Sequence, residues 1–243
     1  MRITRIYQPA ELNPGRQLEL DQRSARHLVQ VLRLQPPHPL VVFDGQGHVC
    51  HAVLSKADKK SVVVELGAAI AESPESPLAV HLGLGISKGE RMDIAIQKAV
   101  ELGVTAITPL FTRYSMVKLD PARAEKRLEH WQGIIISVCE QCGRNRLPLL
   151  HTIINSDDWL RTNQEQLKLT LDPQAEISLG SIPTPTGTLS LYIGPEGGLS
   201  DEEIAQAKQY GFQGVRLGPR ILRTETAVIA ALTAVQFRWG DLG

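Results

Sequence analysis

Two glycine-rich segments in the C-terminal half of the sequence have residue types that could bind a ligand through the backbone. The first, Gly194–Gly198, follows the apolar run Leu189–Ile193 and precedes a capping-box pattern at Ser200–Glu203. Glycine lets a backbone approach a ligand closely, and free amides at a helix start can hydrogen-bond a polar group. The segment matches neither a dinucleotide fingerprint nor a phosphate loop. It therefore predicts either a tight structural turn or a ligand-binding loop.

The second segment, Gly218–Thr224, combines an apolar pair with charged neighbours. Ile221 and Leu222 stand between Arg220 and Arg223. Apolar residues in such a loop suggest that something flat, such as an adenine ring, packs on them. The alternative is a loop buried under a neighbouring helix. Because both glycine segments follow predicted strands, they could line one pocket together with a third strand end, Leu169–Asp172.

The N-terminal 70 residues are predicted to be mainly β-structure. Strands are expected at Leu40–Asp44, Val49–Leu54 and Ser61–Leu66, with one helix at Ser24–Leu34. The segment 72–77 contains two prolines and two serines and no apolar residue, which is typical of a linker. We therefore expect a small barrel-like domain before this linker.

After residue 77, predicted strands alternate with predicted helices, which favours a mainly parallel sheet covered by helices. Ligands bind beyond the carboxyl ends of the strands in such sheets. A capping box is predicted at Ser87–Glu90, and Gly103 and Gly143 are expected to end helices. The predicted strands are Leu78–Ile86, Val104–Leu110, Leu167–Leu171, Leu189–Ile193 and Val215–Leu217, and the main predicted helices occupy 87–102, 120–142, 200–211 and 224–238.

The composition of the sequence narrows the class of protein further. The 243 residues carry 26 basic and 26 acidic side chains and are 42% hydrophobic, which indicates a folded protein with a sizeable core. Residues 1–70 hold nine Lys/Arg against six Asp/Glu, so a polyanionic partner would meet this part first. No signal peptide or membrane span is recognisable, and three cysteines form no disulfide framework, so a cytosolic protein is expected. Cys139 and Cys142 lack a second pair, so no metal is predicted.

The combined motifs resemble the RsmE-type enzymes of the SPOUT (trefoil-knot) superfamily, which methylate N3 of a uridine in small-subunit (16S) ribosomal RNA. The resemblance covers essentially the whole chain. The segments that carry it are Arg2–Tyr7, His27–Arg33, Ser87–Arg91, Gln97–Lys98, Glu101–Val104, Cys139–Arg146, Ile193–Leu199 and Leu217–Ala227.

The resemblance implies a fold and partners. Residues 1–72 would form a PUA-like RNA-binding β-barrel, and residues 77–243 an α/β trefoil-knot domain with a mainly parallel sheet. The cofactor would be S-adenosyl-L-methionine, the substrate small-subunit ribosomal RNA or the ribosomal subunit, and the assembly a homodimer. A non-catalytic RNA-binding or ribosome-assembly factor with this fold is the alternative. A nucleotide-binding enzyme of another class lacks a supporting motif.

The resemblance also assigns roles to residues. Arg220, Arg223 and Glu225 are the expected catalytic residues; Glu196 is a weaker candidate for the base, and both glutamates could instead be helix-start anions. The expected cofactor-binding residues are Leu171, Ile193, Gly194, Pro195, Glu196, Gly197, Gly198, Leu217, Gly218, Ile221, Leu222, Thr224 and Ala227. The expected RNA-binding residues are Arg2, Arg5, His27, Arg33, Lys88, Arg91, Arg144, Asn145 and Arg146.

Overall fold

The computed structural model describes residues 3–58, 61–71, 74–115 and 120–243. The chain forms two compact units, one of residues 1–75 with 136–147 and the other of residues 76–135 with 148–243. The segment 136–147 therefore clusters with the N-terminal unit, whereas the sequence pattern had grouped it with the C-terminal domain. One reason is that Glu140 accepts a hydrogen bond from the Tyr7 amide at 3.1 Å.

The first unit contains a five-stranded sheet in the order β1-β3-β4-β5-β2. The β1–β3 pair is parallel and the other pairs are antiparallel. The strands are β1 (Thr4–Tyr7), β2 (Gln17–Glu19), β3 (His38–Phe43), β4 (Val49–Ala57) and β5 (Val62–Ala69). Helix α1 (Gln22–Arg26), capped by Asp21, continues into a π-helical turn at His27–Val31. Leu28 and alternate residues of the strands, such as Val42 and Leu54, form the core of this unit.

The second unit is built on a parallel sheet in the order β12-β10-β11-β6-β7-β8, with β9 pairing to β7. The strands are β6 (Val80–Gly85), β7 (Ala106–Phe111), β8 (Leu149–Leu150), β9 (Ile154–Asn155), β10 (Leu167–Leu171), β11 (Leu189–Ile193) and β12 (Gln213–Val215). The helices are α2 (Glu90–Glu101), α3 (Pro121–Cys142), α4 (Ser156–Thr162), α5 (Asp201–Gln209) and α6 (Thr224–Trp239). The C-terminal residues of α3, from Ile136 onward, belong to the first unit.

The two predicted capping boxes have different outcomes. The box at Ser200–Glu203 is confirmed, because the Ser200 hydroxyl accepts from the Glu203 amide and the Glu203 carboxylate accepts from the Ser200 amide. The box at Ser87–Glu90 is wrong. Helix α2 starts at Glu90 with Gly89 as its N-cap, whose φ of 63° is unfavourable for other residues, so Ser87 lies too early to cap it. Gly103 and Gly143 follow the ends of α2 and α3, as predicted.

Several other elements differ from the predictions. Strands β1, β2, β8 and β9 and helix α4 were not predicted, because none of these short segments shows an apolar run or a hydrophobic period long enough to recognise. The strand predicted at Val215–Leu217 is observed two residues earlier, as β12. The main parallel sheet is confirmed. Within the described residues, no helix is long and apolar enough to cross a membrane.

Candidate functional site

Three neighbouring strands end at one cavity in the second unit. Strand β10 lies between β12 and β11, all three run parallel, and the chain continues from each into a loop. The segments that follow them line a cavity of about 500 Å³, together with the start of α5 and of α6. The cavity therefore lies where parallel α/β sheets bind ligands, beyond the carboxyl ends of the strands.

The first glycine loop forms one wall of the cavity, and close backbone contacts explain why it contains glycines. A Cβ atom on Gly194 would lie 2.7 Å from the Gly198 carbonyl carbon and 2.9 Å from the Leu199 nitrogen, both backbone atoms. Gly198 has a φ of 74°, which side chains disfavour, and its amide donates to the Pro195 carbonyl at 2.9 Å. The loop is therefore a tight turn that also lines a cavity, so the two interpretations of this segment are compatible.

The carboxylate of Glu196 ties this loop to the segment before α2. One of its oxygens, Oε1, accepts from the Lys88 amide at 2.9 Å and lies 3.3 Å from Nη1 of Arg91. Burial acts to raise the pKa of Glu196, but hydrogen bonds from backbone amides, including that of Lys88, and from neighbouring side chains together lower it. Glu196 is therefore ionised at neutral pH, and its hydrogen bonds position the loop.

The second glycine loop forms the opposite part of the lining and is far more open. Ile221 is 88% exposed, although isoleucine is usually buried, and Leu222 is half-buried. Thr224, at the start of α6, is only 4% exposed, and its hydroxyl has no hydrogen-bond partner within the described residues. Burying a hydroxyl without a hydrogen-bond partner costs free energy, which points to a ligand that forms a hydrogen bond with it.

The cavity brings together a large part of the predicted site. All thirteen residues expected to bind the cofactor line it, from Leu171 to Ala227, and so does Arg220. Two of the expected catalytic residues, Arg223 and Glu225, do not line it. Arg223 is the N-cap residue of α6 and is exposed, and Glu225 is a first-turn carboxylate of that helix.

Several lining residues were missed by the sequence analysis. The buried Asp172 follows β10, accepts a hydrogen bond from the Gln174 amide at 2.9 Å and lies 3.8 Å from Nζ of Lys208. The sequence had placed Asp172 at the strand end Leu169–Asp172 that could line the pocket, but it had assigned no role to this carboxylate. The other residues missed are Pro173, Gln174, Leu199, Asp201, Ile204, Val215 and Arg216.

The first unit contains most of the residues predicted to bind RNA, but three of them are engaged within it. Arg144 is 5% exposed and forms an ion pair with Glu75 at 2.8 Å, and Asn145 is 2% exposed. Arg5 donates to the side chain of Asn145 at 2.6 Å and lies over the Phe43 ring. These contacts hold the segment 144–146 in place, so Arg144 and Asn145 are not part of the exposed surface.

The remaining predicted RNA-binding residues lie on surfaces of their own units. Arg33 and Arg146 are exposed on the first unit, and Lys88 and Arg91 on the second. His27 lines a concavity of about 490 Å³ with Arg23 and Arg26, which the sequence analysis did not select. Their spacing of three and four residues, which places them on one helix face, could have identified them. Arg2 lies outside the described residues.

The cysteine pair on α3 consists of a buried thiol, Cys139, and a half-buried one, Cys142. Burial raises the pKa of the Cys139 thiol to about 12, so it is not a thiolate at neutral pH. Its Sγ lies 3.9 Å from the carbonyl oxygen of Arg146. No cluster of three or more potential metal ligands occurs in the part of the chain that the structure describes.

The fold and the pocket define the class of protein, an α/β domain that binds a ligand between glycine loops. Residues 74–236 match the family model of an RNA methyltransferase domain, and residues 20–67 match that of an RNA methyltransferase PUA domain. The chain is 38% identical to ribosomal RNA small subunit methyltransferase E of Buchnera aphidicola, over 99% of this chain and 98% of the relative. It is 31% identical to the protein of that name from Bacillus subtilis, over 87% and 86% of the two chains.

Solved structures agree with these matches over the full length of both chains. A methyltransferase of Legionella pneumophila, solved in complex with the cofactor SAM, is 43% identical with a TM-score of 0.97. Ribosomal RNA small subunit methyltransferase E of Neisseria gonorrhoeae, solved with S-adenosyl methionine, is 41% identical with a TM-score of 0.94. The chain therefore belongs to the RNA methyltransferase family that includes ribosomal RNA small subunit methyltransferase E. The predicted fold class, a SPOUT α/β domain with a PUA-like N-terminal unit, is confirmed.

Proposed function

We propose that the protein transfers a methyl group from S-adenosylmethionine to N3 of one uridine in small-subunit ribosomal RNA. The observation that carries this proposal is the cavity between the two glycine loops, combined with the two relatives above 40% identity that were solved with this cofactor. The names of the curated relatives support ribosomal RNA as the substrate class. The choice of uridine N3 comes from the resemblance to RsmE-type enzymes.

The residues of the cavity fit S-adenosylmethionine. The backbone of Gly194–Gly198 can approach a ligand closely, and the buried Thr224 hydroxyl needs a partner. Apolar surface for an adenine ring is offered by Leu171, Leu217, Ile221 and Leu222. These residues, with the others of the cavity lining, would hold the cofactor largely through backbone groups and apolar contacts.

The cofactor, when bound, supplies a methyl group on a positively charged sulfur. The protein must hold the accepting nitrogen in line with that group and must help remove the N3 proton, because a neutral imide nitrogen is a poor nucleophile. We assign the base role to Glu225 and charge stabilisation to Arg220 and Arg223. One oxygen of Glu225, Oε2, is buried without a hydrogen-bond partner among the described residues.

Exposed arginine and lysine side chains, together with the half-buried His27, are the proposed contacts to RNA phosphates. Buried Arg144 and Asn145, with Arg5, would support this surface from within the first unit. Arg2, which lies outside the described residues, stays a candidate. The proposed contact residues are Arg26, His27, Arg33 and Arg146 of the first unit and Lys88 and Arg91 of the second.

The proposal also includes a homodimer and a separate function for each domain. We assign RNA binding to residues 1–72 and methyl transfer to residues 77–243. Helices α2 and α6 pack against each other and expose Ile94, Ile229 and Phe237. Exposed apolar side chains on one pair of helices are typical of a subunit contact. Analytical ultracentrifugation should give twice the chain mass, and a monomer at micromolar concentration would contradict the dimer.

The decisive experiment uses small ribosomal subunits from a strain that lacks this protein. The purified enzyme and S-adenosylmethionine should convert one uridine of the RNA to 3-methyluridine, mapped by mass spectrometry of nuclease fragments. Transfer to another nucleotide would reject the N3 assignment. Binding of the cofactor without any transfer, to subunits or to naked RNA, would favour the non-catalytic assembly factor.

A further inference from the structure

Tyr114 is an aromatic side chain that the proposed mechanism does not use. It follows β7, in the turn after Thr112, and is 45% exposed. Of the aromatic side chains in the described ranges, only Tyr114 and Phe237 are exposed. The Tyr114 ring makes no aromatic contact, and its hydroxyl no hydrogen bond, within the same ranges. A large exposed ring without a partner suggests a contact with another molecule.

The backbone that carries Tyr114 is held on both sides. The Ser115 amide donates to the Thr112 carbonyl at 3.1 Å, and the hydroxyls of these two residues lie 2.9 Å apart. The Arg113 amide donates at 3.0 Å to the carboxylate of Glu203, which also forms the capping box of α5. The turn is therefore fixed to the same helix start that follows the first glycine loop.

Tyr114 also lies directly against that glycine loop. A Cβ atom on Gly197 would lie 2.7 Å from the Cβ atom of Tyr114, so the two backbones approach as closely as glycine permits. A separate cavity of about 390 Å³ is lined by Arg113, Tyr114, Ser115 and Gly197. Gly197 lines both this cavity and the cofactor pocket. The exposed ring thus lies beside a residue that also lines the cofactor pocket.

We propose that the target nucleobase stacks on the Tyr114 ring beside Gly197. This inference rests on the proposed function, because the acceptor base must lie next to the cofactor for transfer to occur. A flat aromatic ring is the side chain that proteins use to hold an unstacked base, and a cavity of this size suits a small planar group. Phe237 lines neither cavity, which leaves Tyr114 as the candidate for this role.

The test compares Tyr114→Leu, which removes the ring, with the matched variant Tyr114→Phe, which keeps it. With small subunits from a strain lacking the protein, Tyr114→Leu should lower kcat/KM about 5- to 150-fold, the range expected for one base–aromatic stack. Tyr114→Phe should stay within about twofold of the wild type. Both variants should bind S-adenosylmethionine as the wild type does, measured by calorimetry.

Three outcomes would overturn the inference. Tyr114→Leu could retain full kcat/KM, Tyr114→Phe could lose as much as Tyr114→Leu, or Tyr114→Leu could lose cofactor binding, which would make the residue a support of the glycine loop. A direct readout is photocrosslinking of RNA that carries 5-iodouridine at the methylated position, which should label Tyr114. Failure of the proposed function is distinguishable, because the wild-type protein itself would then transfer no methyl group.

Discussion

The two glycine loops line one cavity but are held in different ways. In the first loop, Glu196 accepts from the Lys88 amide, Gly198 donates to Pro195, and Ser200 caps the following helix. In the second loop, residues 217–223 have no side-chain hydrogen bond or ion pair in the described part of the chain, and helix α6 starts without a side-chain cap. The first loop is thus held in its binding geometry by the protein alone.

The second loop contains groups whose partners must come from elsewhere. Ile221 is almost fully exposed, and burying such a side chain is favourable by about 1.5–3 kcal/mol. Arg220 and Arg223 are exposed cations beside it. The first loop is therefore fixed by contacts within the protein, whereas the second exposes side chains that a cofactor, RNA or second subunit would cover.

The largest expected effect is a loss of kcat when Glu225, which follows the second loop, is substituted, compared with a small change when Glu196 of the first loop is substituted. Glu225→Gln should lower kcat about 100-fold or more while leaving cofactor affinity unchanged, because a general base typically contributes 10²–10⁴-fold. Glu196→Gln should change kcat less than about fivefold, since Glu196 only positions its loop. Single-turnover methylation of small subunits measures both. Equal kcat values for Glu225→Gln and the wild type would remove Glu225 as the base.

The next effect tests the geometry of the first loop. Gly194→Ala places a Cβ atom 2.7 Å from backbone, and overpacking of this kind costs about 1–3 kcal/mol, so S-adenosylmethionine should bind about tenfold more weakly or worse. The matched control is Gly133→Ala in α3, where a Cβ atom would meet nothing within 4 Å. That variant should bind the cofactor normally and be about 0.5–1 kcal/mol more stable. Tight cofactor binding by Gly194→Ala would show that the loop is not preorganised.

A smaller effect tests the unpaired hydroxyl at the end of the second loop. Thr224→Val keeps the shape of the side chain but removes the hydroxyl, so cofactor affinity should fall about two- to tenfold, while the stability of the free protein should not fall. The control is Thr170→Val, because the Thr170 hydroxyl donates to the Tyr192 carbonyl at 3.3 Å. That variant should lose about 1 kcal/mol of stability with unchanged affinity. Destabilisation by Thr224→Val without a change in affinity would refute the role of the hydroxyl.

The same contrast explains how much could be predicted from the sequence. Apolar runs and periodicity predicted five parallel strands of the second unit, with β12 misplaced by two residues, and the main helices. The glycine segments pointed to the pocket, because strand-to-loop transitions and glycine spacing are local signals. The short strands β8 and β9 and the false capping box at Ser87–Glu90 show where prediction from local sequence signals fails. There the outcome depends on tertiary contacts, such as the hydrogen bond from Lys88 to Glu196, that join residues 108 positions apart.

The exposure of the residues expected to bind RNA could not be predicted for the same reason. Charge and spacing cannot distinguish an exposed arginine from one that pairs with a distant glutamate, as Arg144 does with Glu75. Likewise, Tyr114 carries no motif, and its position became evident only when neighbouring strands and loops were assembled. Resemblance identified the class of chemistry, whereas long-range contacts decide which side chains are available for it.

The smallest expected effect is on stability, and it comes from the contacts of Glu196 with Lys88 and Arg91. Glu196→Gln weakens the ion pair to Arg91 and the hydrogen bond from Lys88, so the free energy of unfolding at pH 7 should fall by about 1 kcal/mol. The folded protein holds the pKa of Glu196 below the usual value of 4.5, so the unfolded chain binds the extra proton first as pH falls. The carboxylate therefore stabilises the fold above pH 4.5, and this contribution is lost as pH drops through the folded pKa.

The measurement is urea unfolding of both proteins between pH 7 and pH 3. The stability difference between the wild type and Glu196→Gln should shrink below pH 4.5. The matched control is Glu129→Gln, which alters an exposed carboxylate of α3 and should show no such pH dependence. A difference for Glu196→Gln that stays constant down to pH 3 would mean that packing rather than charge holds the first loop. The difference between the two loops would then depend only on the backbone geometry of the glycines in the first loop.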